Sequence, residues 1–246
     1  MQRYGLIGKK LGHSFSKRYF TEKFTREGIT DAAYELYELP TIAGLPGLLQ
    51  REPELVGLNV TVPYKEEVMP LLDELDEAAA RIGAVNTIKI TAGKTIGYNT
   101  DYIGFRASLE RFYPAATQKG RALVLGTGGA AKAVCAALED LHINYTILSR
   151  SPKPGQLMYQ ALTPELLQQY PLIINTTPLG MYPDTESCPD LPYEALTPQH
   201  YLYDLVYNPE ETLFLKKGKE AGAQTINGLQ MLHGQAEAAW LIWQSR

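Results

Sequence analysis

The sequence predicts an α/β chain in two units, and three observations predict it. Short apolar runs alternate with amphipathic stretches along most of the chain, the pattern of strands laid between helices. A glycine-rich turn, Gly126-Thr127-Gly128-Gly129-Ala130-Ala131, stands between an apolar run and a helix-forming run. Residues 114–120 interrupt the alternation just before that turn, as a linker between units would.

Length and composition agree with this class and exclude others. The chain has 246 residues, 45% of them hydrophobic, enough for one large domain or two small ones. The net charge is −4 and no basic stretch is present, which argues against nucleic acid as a partner. No apolar run is long enough to span a membrane. The first residues read as a strand rather than a signal peptide, so the expected location is cytoplasmic. Cys135 and Cys188 lie far apart without metal-ligand spacing, and neither a disulfide framework nor a metal site is expected.

Residues 3–8 read as a first strand, followed by a glycine turn and His13-Ser14-Phe15-Ser16. A helix follows over 17–27. The hydroxyls of Ser14 and Ser16 lie at its N-terminal edge, where serines cap a helix and where a carboxylate can also bind. Residues 33–39 alternate as a second strand, and 41–50 form a helix containing Pro46.

The stretch 57–67, Gly-Leu-Asn-Val-Thr-Val-Pro-Tyr-Lys-Glu-Glu, organises the first unit. It starts as a strand over 56–62 and turns into a helix at Pro63, where a missing N–H costs nothing. Asn59, Thr61 and Lys65 are thereby brought to one end of a sheet. A lysine in the first turn of a helix stands against the positive end of the helix dipole. It is either a solvated surface lysine or a group placed to give and take a proton.

Helix over 76–82 follows, then a strand over 84–88 interrupted by Asn86, which must find a hydrogen bond if buried. Residues 94–99 pair with 85–90 as a hairpin across Thr91-Ala92-Gly93. Asn99-Thr100-Asp101 opens a helix over 102–112, with Asp101 at the N-cap.

In the second unit, strand 121–125, the Gly-x-Gly-x-x-Ala turn, helix 130–141 and strand 145–148 stand in the order that dinucleotide binding requires. Gly126, Thr127, Gly128, Gly129 and Ala130 would set the pyrophosphate on the helix N-terminus. An NAD site carries a carboxylate at the end of the second strand. This chain has Ser149, Arg150, Ser151 and then Lys153 there. A guanidinium, two hydroxyls and an ammonium suit a ribose 2′-phosphate, and NADP is the predicted cofactor.

Further on, 157–162 reads as a short strand, 164–169 as a short helix and 172–175 as a buried strand. A proline-rich and acidic loop covers 182–198. Strand 201–206, helix 210–222, strand 223–226 and a long final helix over 229–244 complete the chain. Leu232, Ala236, Ala239, Trp240 and Trp243 recur at helical spacing and read as core; Met231 and Gln235 stand near the start of that helix.

The order of these motifs resembles the shikimate dehydrogenase family over nearly the whole chain. The resemblance rests on His13-Ser-Phe-Ser16, Asn59-Val-Thr-Val-Pro-Tyr-Lys65, Gly83-Ala-Val-Asn86-Thr87, Gly97-Tyr-Asn-Thr-Asp101, the glycine turn, Asn175-Thr-Thr-Pro-Leu-Gly-Met181 and Asn227-Gly-Leu-Gln-Met-Leu-His-Gly-Gln235. It implies an α/β substrate-binding domain over 1–100, with helix 228–246 packed back on it, and a Rossmann-type NADP domain over 101–227. A deep cleft would lie between them.

The implied activity is NADP-dependent, reversible reduction of 3-dehydroshikimate to shikimate in chorismate and aromatic amino-acid biosynthesis. Lys65 would shuttle the proton, and Asp101 would orient the lysine or the hydroxyl. Ser14 and Ser16 would bind the substrate carboxylate, and Asn59, Thr61, Asn86, Tyr207 and Gln235 its remaining oxygens. Leu205 and Gly228 would lie against the nicotinamide, and Met231 would also contact the cofactor. A monomer or homodimer is expected. The chain departs from the family pattern at Lys17, Tyr19 and Phe20 after the serines, and in the crossover helix after Arg150, which is missing or much shortened. Action on quinate or an aminated analogue, a folate-linked methylene dehydrogenase and a nucleotide-binding sensor are the competing readings.

Overall fold

A computed structural model describes residues 1–12, 14–113 and 121–245; His13 and the linker expected over 114–120 lie outside the described residues. Residues 1–100 with 236–246 form one compact unit and 101–235 a second. The first unit begins with β1 (Gln2–Gly8), α1 (Phe15–Glu27), β2 (Ala32–Glu38), α2 (Leu45–Arg51) and β3 (Leu55–Val60). It continues with α3 (Tyr64–Glu67), β4 (Glu74–Leu75), α4 (Glu77–Ile82), β5 (Thr87–Thr91) and β6 (Lys94–Tyr98). Its sheet has the order β2-β1-β3-β5-β6-β4. The β1, β2 and β3 strands run parallel, and β5 is antiparallel to both β3 and β6. The β5–β6 turn is Ala92-Gly93, both at positive φ (50° and 77°), which matches the right-handed twist of the two strands.

Helix α5 (Thr100–Phe112) leads on to the second unit's β7 (Ala122–Leu125), α6 (Gly129–Asp140), β8 (Tyr145–Ser149), β9 (Leu157–Met158) and α7 (Pro164–Leu167). Then come β10 (Leu172–Asn175), β11 (Tyr201–Asp204), α8 (Leu213–Glu220), β12 (Gln224–Ile226) and α9 (Leu229–Gln244). The sheet is parallel throughout, in the order β12-β11-β10-β7-β8-β9. Counted from β7 as the first strand, this is the doubly wound order whose direction reverses between the first and fourth strands, the place where such sheets bind dinucleotides. Every residue of β7 and β10 is buried, as strands covered on both faces must be.

The first unit's sheet has apolar clusters on both faces. Tyr4, Leu6, Phe20, Phe24 and Tyr34 pack with Ala236, Ala239 and Trp243 of α9. Ile7, Leu45, Leu58, Val60, Val68 and Ile88 form the other cluster. Trp243 is central: its Nε1 donates to the Ile88 carbonyl at 3.0 Å, and its ring lies 5.0 Å from Tyr4 and 5.4 Å from Phe20. It lies so close to β3 that a Cβ on Gly57 would collide with the indole.

Three local expectations need correction. Pro63 is the N-cap of a single-turn helix, after a cis Val62–Pro63 peptide, and not its first residue. The strand expected over 84–88 begins only at Thr87. Helix α5 starts at Thr100, so Asp101 lies in its first turn and not at the cap. Among the described residues no helix is long and apolar enough to cross a membrane.

Candidate functional site

In the first unit Asn59 and Asn86, both singled out in the sequence, share one hydrogen-bond network with Thr87 and Thr100. The Asn86 Oδ1 accepts from the Thr100 N–H at 2.7 Å, the Thr100 hydroxyl at 3.1 Å and the Thr87 hydroxyl at 3.2 Å. The two threonine hydroxyls lie 3.0 Å apart. Asn59 Nδ2 donates to Thr87 Oγ1 at 3.1 Å, and its Oδ1 accepts from the Tyr34 hydroxyl at 2.7 Å. Both ends of the Asn59 amide are therefore engaged inside the unit. The Asn86 Oδ1 is equally engaged, but its Nδ2 has no partner among the described residues. Asn86 thus keeps a fixed donor in reserve. Burial holds the Tyr34 phenol well above its ordinary range, against a smaller opposing pull from the Ser16 hydroxyl. Tyr34 thereby joins Ser16 to Asn59.

Ser14 is the N-cap of α1, its hydroxyl accepting from the Lys17 N–H at 3.3 Å. Ser16 lies inside the first turn and is half-buried. Thr61 follows β3, its N–H bonded to the Ile7 carbonyl at 3.0 Å, and is half-buried. Lys65 is half-buried on α3, with its carbonyl accepting from Val85 N–H at 2.7 Å. This bond ties the turn after β3 to the segment that carries Asn86.

In the second unit Asp101 is buried in the first turn of α5, 9% exposed. Gly126 leaves β7 with φ 106°, and a Cβ there would stand 2.9 Å from Thr176 Oγ1. Only glycine serves at that point. Gly128 caps α6 in extended conformation, and a Cβ at Gly128 or Gly129 would meet nothing within 4 Å. Thr127 and Gly128 are exposed, and Ala130 is half-exposed in the first turn of α6. This is an open turn at a helix N-terminus, the cradle a pyrophosphate requires. At the end of β8, Ser149 is buried and accepts from the Ser151 N–H at 3.1 Å, while Arg150, Ser151 and Lys153 are exposed. No carboxylate stands among them. This donor set fits a phosphorylated ribose and disfavours the plain ribose of NAD.

Leu205 and Gly228 meet: Gly228 packs on the Leu205 carbonyl so closely that a Cβ has no room. Tyr207 is exposed just beyond β11. Met231 is 7% exposed and packs with Phe105 and Tyr203 in the core on that face of the sheet. Gln235 is 8% exposed, its Nε2 donating to the Leu232 carbonyl at 3.0 Å.

Sequence reasoning passed over Tyr34 and Asp204. Tyr34 looks like any strand tyrosine, and Asp204 like a residue ending a strand. Asp204 is fully buried, and burial raises its carboxyl to about 6 against hydrogen bonds from Thr212, Val206 and Asn175. Among the described residues no group of His, Cys, Asp or Glu could hold a metal ion.

A family model described as the shikimate dehydrogenase substrate binding domain matches residues 6–88. Over 260 residues the chain is 38% identical to the shikimate dehydrogenase (NADP(+)) of Methanococcus maripaludis, covering 98% of this chain and 91% of that protein. It is 32% identical to shikimate 5-dehydrogenase from Thermus thermophilus, solved with NADP(H) and shikimate, with TM-score 0.87 over 99% of this chain and 94% of that one. Quinate dehydrogenase from Corynebacterium glutamicum, solved with NAD, gives TM-score 0.87 at 28% identity over 99% and 93%.

Proposed function

This chain belongs to the shikimate dehydrogenase family, and on that premise we propose that it interconverts 3-dehydroshikimate and shikimate with NADP(H), in the biosynthesis of chorismate and the aromatic amino acids. The observation that carries this reading is the likeness over 98% of the chain to a protein named for that activity. The open glycine turn and the acid-free end of β8 support the choice of cofactor.

The first unit takes the substrate and the second the nucleotide. Ser14 and Ser16, at the start of α1, hold the substrate carboxylate. Asn86 offers its unpaired Nδ2 to a substrate oxygen. Thr61, Tyr207 and Gln235 read further oxygens. Asn59 acts behind them, because both ends of its amide are already bonded within the unit. Lys65 gives a proton to the C3 oxygen during reduction and takes it back during oxidation, and Asp101 orients the lysine or the hydroxyl. Acid–base help of this kind is worth about 10²–10⁴-fold.

Gly126, Thr127, Gly128, Gly129 and Ala130 receive the pyrophosphate. Ser149, Arg150, Ser151 and Lys153 receive the 2′-phosphate, and Leu205, Gly228 and Met231 border the nicotinamide. When bound, NADPH supplies the hydride that reduces C3; the protein's own contribution is position and electrostatics.

The test is the appearance of reduced nicotinamide with purified protein, pairing shikimate or quinate with NADP⁺ or NAD⁺. Fast reduction of NADP⁺ by shikimate is the expected result. A preference for quinate with NAD⁺ would keep the chemistry and replace substrate and cofactor. Folded protein that binds NADP⁺ and oxidises neither acid would overturn the enzyme reading in favour of a sensor.

A further inference from the structure

One fully buried carboxylate takes no part in the chemistry above. Asp204 ends β11, beside Asn175 at the end of the neighbouring β10. Its Oδ1 accepts from Asn175 Nδ2 and from the Val206 N–H, each at 3.0 Å, and its Oδ2 accepts from the Thr212 hydroxyl at 2.6 Å. Three donors from three segments converge on one side chain with no exposed surface.

Two of these bonds lead to surfaces assigned above to the cofactor, and the third to the loop after β10. Asn175 Oδ1 accepts from the Thr177 N–H at 3.0 Å and its hydroxyl at 2.6 Å, which folds the chain back after β10. Within that fold Thr176 Oγ1 donates to the Leu125 carbonyl at 2.6 Å, directly beneath the Gly126 turn. Val206 in turn accepts from the Gly228 N–H at 3.1 Å, which holds Gly228 against Leu205. Thr212 caps α8, and its Cβ would stand 3.2 Å from a Cβ on Gly180, the far end of the loop after β10.

We infer that Asp204 is a positioning residue for the cofactor: its carboxylate fixes the loop after β10 and the Leu205–Gly228 contact against each other, so that the pyrophosphate turn and the nicotinamide surface keep one spacing. The inference rests on the proposed use of NADP(H). A purely structural carboxylate in a parallel sheet would affect every ligand through stability alone. A positioning residue affects the nucleotide selectively.

The experiment compares wild type with Asp204→Asn, Thr212→Val and Thr212→Ser in the full chain. It measures NADP⁺ dissociation by fluorescence titration, KM for shikimate at saturating NADP⁺, and thermal melting. Asp204→Asn and Thr212→Val are nearly isosteric, so they test the bonds and not the space. The expected result is an NADP⁺ dissociation constant raised about tenfold in both, with shikimate KM within twofold of wild type. Thr212→Ser, which restores the hydroxyl, should return the wild-type value. Lowered melting temperatures with unchanged NADP⁺ affinity would overturn the positioning role. So would failure of Thr212→Ser to restore affinity. Wild-type protein that does not bind NADP⁺ would instead overturn the functional reading, and binding is read independently of turnover.

Discussion

Removing one oxygen atom, through Tyr34→Phe, tests whether the Tyr34–Asn59 bond supports the substrate side of the site. The ring of Tyr34 stacks on Phe20 at 4.7 Å and 12° and is only 3% exposed, so phenylalanine fills the same space and opens no cavity. The loss is confined to the 2.7 Å bond to Asn59 Oδ1 and the hydroxyl beside Ser16. Asn59 is 4% exposed, so its oxygen finds no water in place of the phenol. A buried acceptor left without its donor costs about 1–3 kcal/mol, and in a protein of this size each kcal/mol lowers Tm by about 2–4 °C.

The Asn59 amide, no longer held at its oxygen, loosens its hold on Thr87 and through it on Asn86. If about 1.4 kcal/mol of the cost falls on the substrate complex, KM for shikimate rises about tenfold. Both kcat and the KM for NADP⁺ should stay within twofold, because the lost bond lies inside the substrate-side network. Initial rates with varied shikimate at saturating NADP⁺, beside a melting curve, read both effects. A lower Tm with unchanged shikimate KM would mean that the network holds the sheet and not the site.

Four other outcomes follow from the same geometry. Lys65→Ala should lower turnover about 10²–10⁴-fold with an unchanged NADP⁺ dissociation constant by fluorescence; near-normal turnover would remove the proton-shuttle role. Arg150→Gln should raise KM for NADP⁺ about 10–100-fold, the worth of a charge-assisted bond, and leave KM for NAD⁺ alone; equal effects on both cofactors would contradict a 2′-phosphate contact. Gly57→Ala should destabilise the fold by about 1–3 kcal/mol in urea unfolding, because its methyl meets the Trp243 ring, and unaltered stability would contradict that packing. Stability should also depend on pH through Asp204, whose folded carboxyl is raised from 3.8 to about 6. A raised acid contributes stability that is complete below the unfolded value and lost as pH rises through the folded one. At 1.36 kcal/mol per pH unit, and with part of the loss already complete at pH 4, the loss is about 2.4 kcal/mol between pH 4 and pH 7. Asp204→Asn cannot titrate, so the stability of wild type relative to it should fall by that amount over this range in urea unfolding. A difference that stays flat with pH would count against the burial argument.

What the sequence showed and what it hid divide along one physical line: how far away a residue's partner lies. The second sheet was legible because β7 and β10 are wholly buried apolar runs and the glycine turn follows the first of them. The β5–β6 hairpin was legible because Ala92-Gly93 is a local signal. The start of α5 was not. Its first N–H is satisfied by Asn86 Oδ1 from fourteen residues earlier in the chain, so the helix begins at Thr100 without Asp101 as its cap. A helix needs its first N–H groups met, but nothing in the local sequence says that a distant asparagine will meet them. Tyr34 and Asp204 were hidden for the same reason, since their partners Asn59, Asn175 and Thr212 come from other strands and loops.

The departure after Arg150 has a structural form that bears on cofactor choice. Parallel strands are normally joined by a crossover of a dozen or more residues, usually a helix. Here β9 follows β8 through residues 150–156 alone, pairing Leu148 with Leu157 and Ser149 with Met158. Local bonds replace the helix: the Ser151 N–H donates to Ser149 Oγ, the Lys153 N–H donates to Gln156 Oε1 at 3.0 Å, and Gly155 turns the chain at φ 84°. Three of these seven residues, Arg150, Ser151 and Lys153, are ones proposed to hold the 2′-phosphate. No helix lies within this connection, and one serine, one glutamine and one glycine shape the turn that carries Arg150 and Lys153. On the proposed reading of these residues, selectivity for NADP⁺ would depend on that turn keeping its shape, with the two cations as parts of one folded loop.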